Sequence, residues 1–274
     1  MLKKRIVTAL FLIPIFVALL IKLPAPMFMV LTSVILLLGA WEWSQLMGLK
    51  KKSHRMCYVF FIFVLVNILF FSKTSSIISI PTTLYVTFYW WLLAAVLIVI
   101  YPKASSVWGR GLFFRAIMGA VVLIPTWIAL NFIRLDFGVW TLLFLFVLIW
   151  GADTGAYFSG KKWGKNKLAP KVSPGKTRQG LYGALIITVP IVIAALCIAP
   201  LPYRMWPAAF ALAFTTVIFS IIGDLFESML KRNVGIKDSG TLIPGHGGLL
   251  DRIDSLTAAA PVFALGCWLF AKIM

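Results

Sequence analysis

GHGGLLDRIDSLTAAAPVFALGCWLFAKIM, residues 245–274, joins a polar segment directly to an apolar run. The first ten residues hold three glycines, a histidine, two aspartates and an arginine, whereas residues 255–273 are long and apolar enough to cross a bilayer as a helix. Charged groups at the end of a span are costly unless they are paired, hydrated or bound to a ligand. The stretch therefore predicts a membrane helix with a polar site at its start.

The composition of the whole chain is that of an integral membrane protein. Apolar residues make up 61% and charged residues 12%, against roughly 45–50% and about 25% in soluble domains. Apolar runs separated by polar, proline or glycine breaks predict an all-α, polytopic membrane helix bundle with nine transmembrane helices. The predicted spans are 6–24, 26–48, 57–72, 80–101, 116–134, 138–158, 180–199, 206–223 and 255–273.

The distribution of lysine and arginine predicts the orientation of these spans. Twenty-one of the 26 basic residues fall on the same side as the N-terminus, and cytoplasmic loops are the ones enriched in basic residues. The N-terminus is therefore predicted inside and the C-terminus outside. The net charge of +18 then reflects topology or a basic face for anionic ligands, and no nucleic-acid partner is expected.

We divide the chain into two regions. Residues 1–110 form an N-terminal transmembrane region, and residues 111–274 form a transmembrane region that carries the candidate site on two inner loops, 159–179 and 224–254. The three cysteines are far apart in apolar surroundings and have no metal or redox spacing.

The acidic residues gather on the predicted inner side. Seven of the eight lie there, although acids contribute little to topology, so a second cause is needed. Asp153 and Asp224 end two spans, and Asp251 and Asp254 open a third. Three spans thus bring carboxylates to one membrane depth, which predicts one shared site.

A helix that continues beyond residue 223 would place Asp224, Glu227, Ser228 and Lys231 on one polar face. The alternative is a solvated helix end with a salt bridge between Glu227 and Lys231. Both interpretations remain open from the sequence.

Asp251 and Asp254 also share a helical face. The dipole of a helix favours acids in its first turn by about 0.3–1 kcal/mol each, but that effect does not account for His246, Gly247 and Gly248. Glycines let backbone N–H groups approach a ligand at the start of a helix. An anion site beside a metal explains the whole segment, and a carboxylate cluster suits Mg²⁺ or Mn²⁺ rather than zinc.

Two basic clusters lie on the same side as the acids. Residues 161–178 contain seven lysines or arginines and no acid, and residues 231–240 add Lys231, Arg232 and Lys237. Residues 175–177 read GKT, but a P-loop needs a glycine where Pro170 stands, and no strand is predicted before it. Lys176 remains a candidate for binding phosphate. Basic residues around phosphates and a metal are typical of phosphoryl or nucleotidyl transfer.

Residues 228–254, SMLKRNVGIKDSGTLIPGHGGLLDRID, resemble the signature of the phosphatidate cytidylyltransferases, or CDP-diacylglycerol synthases. The resemblance extends to residues 150–177 and 223–232 and, in length and hydropathy, to nearly the whole chain. It implies transfer of a cytidylyl group from CTP to phosphatidic acid, giving CDP-diacylglycerol and pyrophosphate with Mg²⁺. It further implies a homodimer in the inner (cytoplasmic) membrane with its active site facing the cytoplasm.

The resemblance places metal ions on Asp224 and Asp251, and from it we assign roles to the other candidates as hypotheses. Asp254 supports the metal or binds a second cation. The triphosphate would contact Ser173, Lys176 and Thr177. The lipid phosphate or the departing pyrophosphate would contact Lys231, Arg232, Lys237 and Arg252. His246 is either a phosphate donor or a turn-stabilising residue, Glu227 orients Lys231, and Asp153 either contacts nucleotide or holds the basic loop.

Two other function classes remain as alternatives. A CTP-dependent lipid or polyprenol kinase would move the γ-phosphate to an alcohol and leave CDP in solution. A secondary transporter usually carries its charges near the membrane midplane and in repeated halves, whereas the acids of this chain lie at one face and no duplicated half is evident.

Overall fold

The computed structural model describes residues 14–72, 79–103, 105, 111–242 and 247–272. Residues 14–22 are helical. The long helices that follow are α1 (Ala25–Leu46), α2 (Lys52–Ser72), α3 (Ile80–Ile100), α4 (Leu112–Phe132), α5 (Gly138–Trp163), α6 (Arg178–Ile198), α7 (Trp206–Val234) and α8 (Leu250–Ala271).

Seven helical stretches in the described ranges are long and apolar enough to span a membrane. One of them, Leu112–Trp163, has 52 residues and would extend about 78 Å as one straight helix, far beyond a hydrocarbon core of about 30 Å. The π-helical turn Ile133–Phe137 and Gly138, with φ of 85°, divide it into α4 and α5. The chain is therefore a multi-pass helical membrane protein. The predicted span 6–24 is helical from residue 14, and its earlier residues lie outside the described ranges.

The segments that were predicted to face inward meet at one end of the bundle, which we call the polar end. Arg55, near the start of α2, donates to the carbonyl of Trp41 near the end of α1 at 2.9 Å. Arg115, at the start of α4, donates to the carbonyl of Met47 at 3.0 Å. Arg134 lies 19 residues further along, or about 28 Å at helical rise, and therefore marks the opposite end. The hairpin before α6, the end of α7 and the start of α8 complete the polar end.

Helix α8 is the centre of the bundle. Its alanines 258–260 are fully buried, and such small residues let neighbouring helices approach closely. Helix α7 approaches it closely at Gly223, where an added Cβ would lie 2.5 Å from the carbonyl oxygen of Asp254. The start of α8 and the polar end of α7 are therefore in direct contact, which places Asp224 beside Asp254.

A short antiparallel hairpin joins α5 to α6. Its strands are β1 (Lys167–Ala169) and β2 (Ser173–Thr177), and Thr177 then caps α6 by accepting from the N–H of Gly180 at 3.1 Å. The all-α prediction omitted this hairpin, and the expectation of no strand before GKT was wrong. Half of the residues in these short strands are lysine, proline or glycine, and apolar residues do not alternate over four or more positions, so the usual sequence signal of a strand is missing.

Candidate active site

The first element of the site is an ion pair between the hairpin and α7. Lys176 Nζ lies 2.6 Å from Asp224 Oδ2, and both side chains are about a quarter exposed, at 25% and 29%. The hydroxyl of Ser228 lies one helical turn further on and donates to Asp224 Oδ1 at 3.4 Å. The pair neutralises both charges and still leaves each group accessible from solution.

The second element is the carboxylate of Asp251, which connects α7, α8 and the described residues between them, 235–242 and 247–249. It accepts from Lys231 Nζ at 2.6 Å, from the N–H of Ser239 at 2.9 Å and from the N–H of Gly248 at 2.8 Å. Its position in the first turn of α8 is also favoured by the helix dipole. Bonds to an ionised acceptor are about twice as strong as neutral ones, so Asp251 holds these three parts of the chain together.

Glu227 and Lys231 form a buried pair on α7. Glu227 Oε1 lies 3.3 Å from Lys231 Nζ, and the two residues are only 4% and 9% exposed. The alternative, a salt bridge at a solvated helix end, is thus half correct. The ion pair is present, but both of its residues are buried and not solvated. Glu227 Oε1 receives no directed hydrogen bond from the described residues, so it retains capacity to accept one.

Two further aspartates approach the pair of Lys176 and Asp224. Asp254, just after the first turn of α8, accepts from the N–H of Ser255 at 2.7 Å and lies within electrostatic range of both charges. Asp153, exposed on α5, lies within the same range of Asp224 and Lys176. Carboxylates from α5 and α8 therefore lie within electrostatic range of the Lys176–Asp224 pair on the hairpin and α7, as expected from the gathering of acids at the inner ends of three spans.

The other candidates from the hairpin and the basic clusters differ in their exposure and in their hydrogen bonds. Arg232 is exposed, and its Nε donates to the carbonyl of Val172 in the hairpin at 3.3 Å. Thr177 is buried, and its hydroxyl is used to cap α6. Ser173 is half-buried in β2, and Lys237 is exposed. Thr177 is thus placed to shape the hairpin, while the side chains of Arg232 and Lys237 reach solution.

Gly247 and Gly248, directly before α8, lie close to the carboxylate of Asp251. Gly247 has φ of 82°, a left-handed conformation that favours glycine, and the N–H of Gly248 points to the Asp251 carboxylate. Arg252 is exposed on the first turn of α8. His246 lies outside the described residues, so its assignment stays a prediction.

The donor set fits Mg²⁺ held together with phosphate better than a metal held by protein alone. Among the described residues, no three acidic, histidine or cysteine side chains are close enough to form a metal cage. Mg²⁺ is usually bound through one or two carboxylates, with phosphates and water completing its shell. Asp224 and Asp251 are oxygen donors of that kind, and each already contacts a cationic ammonium group.

Glu42 is a site residue that the sequence did not reveal. It lies near the end of α1, is 1% exposed, and accepts from Ser239 Oγ at 3.0 Å and from the N–H groups of Leu249 and Leu250 at 2.9 and 2.8 Å. The sequence placed Glu42 on the inner side with the other acids. Its partners are about 200 residues away, so local sequence could not identify them.

An apolar cavity of about 120 Å³ lies within the bundle and is lined by residues of the helix at 14–22 and of α1, α4, α5 and α8. Ile253 and Leu256, which are close to Asp254 in the sequence of α8, line it together with Leu31, which is 39% exposed. An apolar cavity of similar size, about 150 Å³, stays dry and binds apolar molecules. The cavity therefore suits a hydrocarbon group.

Comparison with known proteins identifies the family of the chain. A model of the cytidylyltransferase family matches residues 3–270. A phosphatidate cytidylyltransferase of Pseudomonas aeruginosa is 43% identical over 98% of this chain and 97% of its own length. One of Haemophilus influenzae is 36% identical over 96% of this chain and 98% of its own length. The chain belongs to the cytidylyltransferase family.

Proposed function

We propose that this protein transfers a cytidylyl group from CTP to phosphatidic acid, forming CDP-diacylglycerol and pyrophosphate. The observation that carries the proposal is the full-length similarity to two proteins named phosphatidate cytidylyltransferase. The geometry agrees with it, because basic and acidic groups from α5, the hairpin, α7 and α8 meet at one end of a membrane bundle. That arrangement suits a reaction between a polyanion and a lipid phosphate.

In the proposed reaction, a phosphate oxygen of phosphatidic acid attacks the α-phosphorus of CTP. A phosphorus–oxygen bond forms to the lipid, the bond between the α-phosphorus and its bridging oxygen breaks, and pyrophosphate leaves. The second pKa of a phosphate monoester is about 6, so the nucleophile is already ionised near neutral pH and needs no strong base. The difficulty is to bring two anions together.

The residues of this chain would meet that difficulty by positioning and by neutralising charge. Lys176 would leave Asp224 to contact the triphosphate, with Ser173 beside it on β2. Lys231, which stays anchored by Glu227, would contact a phosphate on the α7 side. Arg232, Lys237 and Arg252, all exposed at the polar end, would hold the lipid phosphate or the departing pyrophosphate.

Asp224 and Asp251 would hold Mg²⁺, with Asp254 as support or as ligand of a second cation. Bound there, the metal supplies positive charge against the phosphate oxygens. Asp153 and the backbone at Gly247 and Gly248 would complete the boundary of the nucleotide site.

The apolar cavity supports the lipid half of the reaction. We assign it to an acyl chain of phosphatidic acid, because its lining is apolar and includes both Ile253 and Leu256 of α8, close in sequence to Asp254, and the exposed Leu31. Burial of hydrocarbon stabilises by about 0.8 kcal/mol for each methylene, so a few methylenes are enough to help orient the lipid phosphate.

One assay tests the reaction. Purified protein in detergent is given phosphatidic acid and α-labelled CTP, with Mg²⁺ or with EDTA. We expect label in the lipid fraction with Mg²⁺ and loss of that label with EDTA. Labelled CDP in solution would instead indicate a CTP-dependent kinase, and unchanged turnover in EDTA would remove the metal from the proposal.

We also propose nine spans with the N-terminus in the cytoplasm, in the inner membrane, and assembly as a homodimer. The gathering of the described basic segments at the polar end supports this orientation, and the family resemblance supports the dimer. A single cysteine in the 161–178 loop, with the three native cysteines replaced, should resist impermeant maleimide added to intact cells. Ready labelling would reverse the orientation, and a monomer in crosslinking and mass measurements would remove the dimer.

A further inference from the structure

We propose that Glu42 is a positioning residue for the reaction, one that fixes the segment around Ser239 and the start of α8 so that Asp251 and Lys231 keep their arrangement. This role rests on the proposed function. Glu42 belongs to α1 and is far in sequence from every motif that marks the site. Its side chain is nevertheless buried and accepts from Ser239, whose N–H donates to Asp251.

Glu42 caps α8 from another helix. The first N–H groups of a helix have no partner within it and need an acceptor from elsewhere. Leu249, at the cap position of α8, has an apolar side chain that cannot accept, and the carboxylate of Glu42 accepts from the N–H groups of Leu249 and Leu250 instead. A negative charge at this position is also favoured by the helix dipole.

Glu42 and Asp251 hold the same short segments through different atoms. The hydroxyl of Ser239 donates to Glu42, while the N–H of Ser239 donates to Asp251. The N–H of Gly248 donates to Asp251, and that of the next residue, Leu249, donates to Glu42. If the groups that donate to Glu42 move, the neighbouring N–H groups that donate to Asp251 therefore move as well. The orientation of Asp251 and its ion pair with Lys231 then change.

The backbone is packed closely around Glu42. An added Cβ at Gly248 would lie 2.6 Å from Glu42 Oε2, and one at Gly240 would also collide with the carboxylate. Glutamine in place of Glu42 would present one acceptor oxygen and an NH₂ donor to three N–H and O–H donors. The amide thus keeps the shape of Glu42 but cannot satisfy its partners.

The test compares Glu42→Gln with Asn131→Ala in the labelled-CTP assay. Asn131 is a buried polar residue of α4 that bonds to Thr32 of α1, so its loss removes a contact of α1 away from the polar end. Loss of a group that orients a metal-binding residue typically lowers metal affinity or activity about 10- to 100-fold. We expect a fall of about 10- to 100-fold in kcat for Glu42→Gln, with a smaller change in the KM for CTP, and near-wild-type kcat for Asn131→Ala.

Hydrogen exchange gives a second readout that does not depend on activity. In Glu42→Gln, peptides covering residues 239–242 and 247–252 should exchange faster than in the wild type, while exchange in the middle of α8 stays unchanged. Normal kcat in Glu42→Gln, or losses of kcat that simply follow thermal stability in both variants, would overturn the positioning role. Failure of the wild type to label lipid would instead refute the proposed function, and the exchange comparison would still decide whether Glu42 orders the segment.

Discussion

Asp251→Asn is the substitution whose effect follows most directly from the structure. Oδ1 of Asp251 accepts from Lys231 Nζ and Ser239 N–H, and Oδ2 accepts from the N–H groups of Ser239 and Gly248. Whichever oxygen becomes NH₂, that group faces at least two donors and no acceptor. At least one bond to a charged group is lost, which is worth about 1.5–3 kcal/mol.

If that energy orients groups in the transition state, kcat/KM falls by about 10- to 150-fold. Loss of the negative charge that would hold Mg²⁺ lowers it further. The assay is lipid labelling from α-labelled CTP by purified variant, together with its thermal stability in detergent. Asp136→Asn is the matched control, since Asp136 is exposed at the opposite end of the bundle. Near-normal turnover of a folded Asp251→Asn protein would remove Asp251 from the centre of the site.

Three further substitutions test separate contacts. Gly223→Ala should lower thermal stability and activity, because the added Cβ would push Asp254 away from α7. In the control Gly175→Ala, the added Cβ meets no atom within 4 Å, so stability should stay unchanged. Equal stabilities of the two variants would contradict the close approach of α7 and α8. Lys176→Gln should raise the KM for CTP more than the exposed Lys161→Gln does, and equal KM values would exclude Lys176 from the nucleotide site. Leu130→Trp should fill the apolar cavity and lower kcat/KM for long-chain phosphatidic acid more than for a short-chain one, and an equal loss for both would exclude an acyl chain there.

The sequence predicted the bundle and the convergence of acids because both depend on local patterns. Apolar runs mark spans by their length, and Asp153, Asp224 and Asp251 each stand at the polar end of such a run. The extension of α7 to Val234 also follows from the spacing of its polar face, and Gly235, with φ of 77°, ends that helix.

The parts that the sequence missed depend on contacts between distant segments. Nothing near Glu42 indicates that it accepts from Leu249 and Leu250, since α1 and α8 meet only when the bundle forms. The contact of Thr177 with the triphosphate stays a prediction, and the structure adds that its hydroxyl accepts from the N–H of Gly180 where β2 leads into α6. In both cases the three-dimensional contacts of a polar group are not evident from the residues next to it.

The central position of α8 has a consequence for motion. A helix that is packed against neighbours on all sides, and held at its start by Glu42 and Asp251, belongs to the part of a protein that opens least. The hairpin β1–β2 is more exposed, and the Lys176–Asp224 ion pair and the Arg232–Val172 hydrogen bond join it to α7. Entry and departure of a nucleotide should therefore displace the hairpin and leave α8 as the fixed reference against which the lipid phosphate is aligned.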